Sequence, residues 1–171
     1  LDGSPLVLEF ATQPDQNSRQ LDELRRKDMS AIGLRTEFRP AKWPENLKNA
    51  RAGKLMLWGV GNSAAAPDGQ PGLDRGASIH VGGQNLARFR NEQFDRVYNR
   101  MRVLPDGPER LALFEEAKKI LIAYAPYKHH VHRIDTDLVH GWMTGYRRPP
   151  YWLSWWQYVD IDADAQRKAI S

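Results

Sequence analysis

Leu55-Met56-Leu57-Trp58 is a continuous apolar run, and Gly59-Val60-Gly61-Asn62-Ser63 ends it at once. A short apolar run closed by glycine reads as a strand buried on both faces, the habit of parallel sheets covered by helices. Upstream, residues 43–51 predict a short helix that ends near Gly53. Residues 34–39 alternate, with Leu34, Thr36 and Phe38 on one face and Arg35, Glu37 and Arg39 on the other. Pro14 and Asp15 open an earlier helix. Its Leu21, Leu24, Met29 and Ile32 fall near one side, and Gly33 supplies the stop. Leu6, Leu8 and Phe10 share one face of a first strand over 6–11. The order over 1–60 is strand, helix, strand, helix, strand, which predicts an α/β fold with right-handed crossovers and a parallel-rich sheet.

Downstream of the run the pattern changes. Gly61, Pro67, Gly69, Pro71, Gly72, Gly76, Gly82 and Gly83 punctuate residues 61–91, so an irregular loop is expected there. Helices resume over 92–102 and 107–124. For the second, Asp106 and Glu109 have capping-box spacing and Pro108 sits in the first turn. Leu111, Phe114, Ala117, Leu121 and Tyr124 predict its buried stripe, and Pro126 ends it. Residues 127–134 and 137–141 read as extended. The chain closes with an aromatic stretch and a polar tail.

The 171 residues suit one domain or one piece of a larger protein. Hydrophobic residues make up 41% and charged residues 27%, which excludes global disorder and a collagen-like or disulfide-stapled chain. Mean hydropathy is −0.66, and no run of about 18 apolar residues occurs, so no helix is expected to span a membrane. The net charge of +4 is small for 25 basic residues. Arg88, Arg90, Arg96, Arg100 and Arg102 form a basic stretch, but Glu92 and Asp95 interrupt it, so no nucleic-acid partner is expected. The absence of cysteine removes thiol nucleophiles and zinc–thiolate sites. The opening Leu1-Asp2-Gly3-Ser4-Pro5 reads like the middle of a longer sequence.

Open parallel sheets bind ligands beyond the carboxyl ends of their strands. Trp58, Gly59, Val60, Gly61, Asn62 and Ser63 fall there and are the candidate ligand-binding residues. Trp58 offers a stacking face, the glycines let a ligand approach the backbone, and Asn62 and Ser63 offer neutral hydrogen bonds. Alternatively, the glycines make a turn and Trp58 fills the core. Gly59, Gly61 and Ala64 also fit a G-x-G-x-x-A fingerprint, but Pro67, Gly69, Pro71 and Gly72 prevent the helix a dinucleotide would need.

Other clusters have plainer readings. His130 and His132 would share a face of a strand and, with His129, suggest a metal site whose third ligand would be His140 or Asp135. A solvated strand is the simpler account, because no H-E-x-x-H spacing supports a metal. Asp160, Asp162 and Asp164 imitate a calcium loop, but Ala165 and Ser171 stand where Gly and Glu are required. Tyr151, Trp152, Trp155, Trp156 and Tyr158 are read as packing rings rather than a sugar-stacking surface. No nucleophile elbow, P-loop or paired acid–base constellation is visible, so no catalytic residue and no cofactor are assigned.

Several ordered pieces resemble one family. Asp2-Gly3-Ser4-Pro5-Leu6-Val7-Leu8, Ile32-Gly33-Leu34, and Leu57-Trp58-Gly59-Val60-Gly61 followed by Pro67-Asp68 resemble late segments of family 5 extracellular solute-binding proteins. These are the peptide, nickel and oligopeptide receptors of ABC importers. Asn85, Phe89-Arg90-Asn91, Phe94-Asp95, the run from Asp106 to Arg110, Ala117 to Pro126, and Val139-His140-Gly141 continue the resemblance to the end.

The resemblance implies the C-terminal lobe of a periplasmic-binding-protein type II-like fold. Residues 1–171 would form a single lobe: a unit over 1–60, an irregular loop over 61–91, and helices with closing strands over 92–171. It implies a periplasmic or membrane-associated extracellular receptor without catalysis. Such a receptor closes over a peptide or other small solute together with a missing N-terminal lobe, and passes it to an ABC permease. The alternative is a metal-dependent protein using His129, His130 and His132. The family's peptide binders often carry in the strand-end loop a second Trp and an acid that pairs with the ligand's amino group. Val60 and Ser63 stand at those positions here. A buried amine without an acid costs several kcal/mol, so a ligand lacking an obligatory amino-terminal charge is expected, or an amine bound through residues of the absent lobe.

Overall fold

In the computed structural model, which describes residues 6–61, 64, 66–132, 134, 136–149, 151 and 155–170, strand β1 (Val7–Thr12) lies between β2 (Arg35–Pro40) and β3 (Leu57–Trp58). Both pairings are parallel. Helix α1 (Gln16–Ala31) connects β1 to β2, and α2 (Trp43–Arg51) connects β2 to β3. The α/β reading with a parallel sheet is therefore correct. β1 pairs Phe10 with Phe38 in register, and the two rings stack with centroids 5.6 Å apart. The opposite face carries Arg39, which bridges Glu9 at 2.9 Å and Glu37 at 2.7 Å.

Asp15 starts α1 by accepting hydrogen bonds from the Ser18 hydroxyl at 2.6 Å and the Ser18 backbone N–H at 2.9 Å. Those bonds hold its carboxyl below the usual carboxylate range. Gly33, at φ +80°, supplies the left-handed stop expected of it. The buried side of α1 differs from the expected one. Leu21, Leu24 and Ile32 are exposed, whereas Asp22 is buried. Cationic side chains cover the sheet's aromatic rings instead. Arg25 lies 5.9 Å from the Phe10 ring centre and Arg26 lies 5.4 Å from that of Phe38. Arg25 also meets Asp22 at 3.3 Å.

The strand expected over 55–58 is shorter and less buried than its apolar run suggested. Only Leu57–Trp58 pairs, and Met56 and Leu57 are exposed. β3 is an edge strand that pairs only with β1, so one side of it has no neighbour among the described residues.

The apolar core lies elsewhere in the same unit. α3 (Gln70–Leu73), α4 (Glu92–Val103) and α5 (Pro108–Tyr124) enclose Leu73, Ala77, Phe94, Val97, Tyr98, Met101, Leu113, Ala117 and Ile120. The glycine-rich stretch does hold short regular pieces, α3 and a 3₁₀ turn at Ser78–His80. Asn85, fully buried, ties that stretch together. It donates to the carbonyls of Ala77 at 3.0 Å and Phe89 at 2.8 Å, and it accepts from the Phe89 N–H at 3.1 Å.

Two expectations for α5 fail. Gly107, not Asp106, is its N-cap and makes no side-chain cap bond; Asp106 pairs with Arg110 at 2.6 Å instead. Of the expected stripe, Ala117 is buried and Phe114 and Leu121 pack partly buried against the core, but Leu111 and Tyr124 are exposed, and Leu113 and Ile120 are buried in their place. Charged Glu109, Arg110, Glu115, Glu116, Lys118 and Lys119 interleave with apolar residues around α5, so sequence periodicity had little asymmetry with which to choose a face.

Contacts divide the chain into two units, Leu1–Gly61 with Gln70–Tyr127, and Asn62–Gly69 with Lys128–Ser171. The second contains a short antiparallel pair, β4 (Met143–Thr144) with β5 (Asp160–Ile161), a 3₁₀ turn at Trp156–Tyr158, and α6 (Ala163–Ile170). No strand forms at the described residues of 127–134 or 137–141. No helix among the described residues is long and apolar enough to cross a membrane.

Candidate functional site

The C-terminal edge of the three-stranded sheet brings two tryptophans together. Trp58 ends β3, in register with Ala11 of β1. Trp43 begins α2, directly after β2. Their ring centroids are 4.9 Å apart and tilted by 44°. Trp58 is half-buried and Trp43 is exposed. Trp43 was not singled out in the sequence. Its signal was weak, because a Trp before Pro44 reads equally as the start of a helix.

Asn46 fixes this edge from beneath. It is buried, and its side-chain amide donates to the Thr12 carbonyl at 2.8 Å and to the Ala41 carbonyl at 3.1 Å. The Ala41 N–H also donates to the Thr12 carbonyl, at 3.0 Å. The ends of β1 and β2 are thereby locked to the first turns of α2, and the position of Trp43 follows from that lock.

Gly59 and Gly61 follow Trp58 without left-handed backbone, and a Cβ built on either meets nothing within 4 Å. A tight turn does not require them; they border open space. Val60 is half-buried. Asn62 and Ser63 lie outside the described residues. Among the described residues the first helix after these glycines is α3, at Gln70, too far on for the dinucleotide geometry.

Two carboxylates belong to this edge. Asp15 is committed to capping α1 through Ser18. Glu45, in the first turn of α2, is exposed.

The remaining candidates are dispersed. His129, His130 and His132 are exposed, and no group of three metal-capable side chains occurs among the described residues. His140 stacks on Trp142, with centroids 4.0 Å apart at 8°; Asp135 lies outside the described residues. Asp162 accepts from the N–H groups of Asp164 at 3.1 Å and Ala165 at 2.9 Å, capping α6, and Asp164 pairs with Arg167.

The aromatic stretch does not form a core. Trp156 and Tyr158 are each 68% exposed, and Trp155 stacks on Trp156; Trp152 lies outside the described residues. The basic stretch is engaged internally. Arg88 donates to the Arg51 carbonyl at 3.2 Å, Arg100 pairs with Glu109 at 2.6 Å, and Arg102 lies 5.5 Å from the Tyr98 ring centre.

No protein-family model matches the chain. A di/tripeptide-binding protein of Pseudomonas aeruginosa is 28% identical over 151 residues, covering 86% of this chain. A heme-binding protein of Haemophilus influenzae is 27% identical over 148 residues, covering 85%. The chain spans 28% of the length of the first relative and 27% of the second. Among solved structures, the Escherichia coli murein tripeptide binding protein superposes with a TM-score of 0.76 at 20% identity, covering 94% of this chain and 32% of that one. An ABC-transporter-associated periplasmic binding protein of Helicobacter pylori, solved with a bound peptide, gives a TM-score of 0.64 at 20% identity over 72% of this chain and 25% of that one. The structural likenesses establish the fold, that of type II-like periplasmic binding proteins, and the sequence relatives are binding proteins rather than enzymes. They agree with the resemblance to family 5 extracellular solute-binding proteins carried by the sequence, and the chain matches roughly a quarter to a third of the length of these proteins.

Proposed function

We propose that the protein is the substrate-binding component of an ABC importer. On this reading it captures a small solute outside the cytoplasmic membrane, in the periplasm, and releases it unchanged to a permease. Residues 1–171 act as one lobe, and a second, N-terminal lobe supplies the opposing wall. The observation that carries the reading is the Trp43–Trp58 pair at the carboxyl ends of parallel strands. In open α/β sheets ligands collect at that edge, and two indole rings there give an apolar stacking surface.

The edge favours a solute that does not depend on an amino-terminal charge. Asp15 is occupied by Ser18. Glu45 is exposed, and a carboxylate facing water pairs only weakly with an amine, by about 0–1 kcal/mol. Val60 and Ser63 add no acid. A peptide bound here would be held by its side chains and backbone, with any amine left in water.

Thermal shift of the complete protein against a solute library tests this. Paired peptides with free and acetylated amino termini should stabilise it to within about threefold in affinity, less than one charged hydrogen bond contributes. Trp58→Ala should remove most of the shift. A strict requirement for the free amine would overturn the ligand assignment. Unaltered shifts in Trp58→Ala would overturn the placement of the site.

A further inference from the structure

The unit that includes Lys128–Ser171 holds a cavity of about 270 Å³ lined by Gly145, Arg147, Trp155, Tyr158 and Val159. It is built from rings that brace one another. Trp155 lies on Trp156 with centroids 4.1 Å apart at 26°, and it meets Tyr146 edge-on at 5.0 Å. The Tyr146 hydroxyl donates to Asp137 Oδ2 at 2.6 Å, and Arg148 donates to Asp137 Oδ1 at 3.0 Å. The β4–β5 pairing of Met143 with Ile161 and Thr144 with Asp160 holds the two segments that flank the cavity. Gly145, at φ +75°, lets the backbone lie against the Tyr158 carbonyl, where a Cβ would collide.

Two adjacent arginines differ in their partners. Arg148 is matched by Asp137. Arg147 lines the cavity and has no ion-pair partner among the described residues. Asp160, the nearest acid in sequence on β5, turns a carboxylate oxygen to the Ile161 N–H at 2.7 Å. The cavity therefore combines an indole wall, a tyrosine and a guanidinium that no acid among the described residues pairs with. Guanidinium forks pair with carboxylates in two parallel hydrogen bonds, and indole faces stack on flat apolar groups. The volume lies just below the roughly 300 Å³ at which ligand pockets usually begin, so the cavity takes only a small ligand, of one or two fused rings.

We propose that this cavity binds a small planar aromatic carboxylate, with Arg147 holding the carboxylate and Trp155 stacking on the ring. The site belongs to a different structural unit from Trp43 and Trp58, and it does not depend on solute capture at the strand ends.

Calorimetry on the complete protein tests it with three probes: 2-naphthoate, 2-naphthalenemethanol and cyclohexanecarboxylate. The naphthoate should bind saturably. The alcohol, which lacks the charge, and the cyclohexane acid, which lacks the flat ring, should each bind at least about tenfold more weakly. Arg147→Gln should lower naphthoate affinity about ten- to hundredfold, the range of a charged hydrogen bond, and Arg147→Lys should recover part of the loss. Trp155→Ala should weaken the naphthoate and leave cyclohexanecarboxylate nearly unchanged. Trp58→Ala should leave naphthoate affinity unaltered. Circular dichroism establishes that each variant is folded; Arg147→Gln, at an exposed position, decides if Trp155→Ala is not. Absence of saturable naphthoate binding, equal binding of acid and alcohol, or an Arg147→Gln affinity equal to wild type would each overturn the proposal.

Discussion

Tyr98 donates its phenolic hydrogen to Asp74 Oδ1 at 2.5 Å, and the Tyr98 hydroxyl oxygen lies 3.0 Å from His80 Nε2. The Tyr98 ring is 1% exposed. Burial, followed by the hydrogen bond to Asp74, pushes the phenol well above its ordinary value. The cluster joins α3 and the 3₁₀ turn to α4 through a buried hydroxyl, beside the bond from the Ser78 N–H to Asp95 Oδ1 at 2.9 Å.

This arrangement gives stability a definite sign with pH. The raised value means that the folded state retains the proton longer than the unfolded chain does. The contribution is fully present below the ordinary tyrosine value of about 10 and is lost as pH rises through the folded value. Tyr98→Phe should cost about 1–2 kcal/mol at neutral pH, because Asp74 and His80 lose a partner. It should also flatten the fall in stability between about pH 10 and 12. Urea unfolding at several pH values measures both. A Tyr98→Phe variant with the wild-type alkaline slope would contradict the assignment.

Gly76 packs where no side chain fits. A Cβ there would lie 2.5 Å from Phe94 Cζ and 2.7 Å from Leu121 Cδ2. Phe94 is fully buried, so its ring has little room to retreat. Gly76→Ala should destabilise the protein by about 1–3 kcal/mol through overpacking, seen as a lower midpoint in chemical denaturation. Gly59→Ala, beside open space, should change that midpoint by less than about 0.5 kcal/mol.

Asn46 joins the ends of β1 and β2. Asn46→Ala should cost about 1–2 kcal/mol, because the Ala41 carbonyl loses its side-chain donor while the Thr12 carbonyl keeps the Ala41 N–H. If the lock positions Trp43, the variant should also weaken solute binding while remaining folded. Reduced stability with unchanged solute affinity would limit Asn46 to a structural role.

The parallel unit was legible because its signals are local. Asp15 before a helix, Gly33 after it, and the alternation around Phe38 each record one short-range preference, and all were met. Faces were less legible. In α1 the leucines point away while Arg25 and Arg26 lie over Phe10 and Phe38; a binary reading of apolar against charged residues cannot foresee a cationic stem used as cover. Leu55–Trp58 misled for a related reason: the run looked doubly buried, but β3 lies at an edge. Trp58 was found as a strand-end residue. Trp43 escaped because its partner is fifteen positions away and reached only through the crossover from β2.

Capture without chemistry is tested most directly by titrating the complete protein with a solute that stabilises it and then recovering that solute for mass analysis. The account predicts saturable one-to-one binding, recovery of the solute unchanged, and affinity lowered at least about tenfold in both Trp43→Ala and Trp58→Ala, a loss of about 1.4 kcal/mol. A chemically altered solute, or two folded Trp variants that bind as tightly as the wild type, would contradict it.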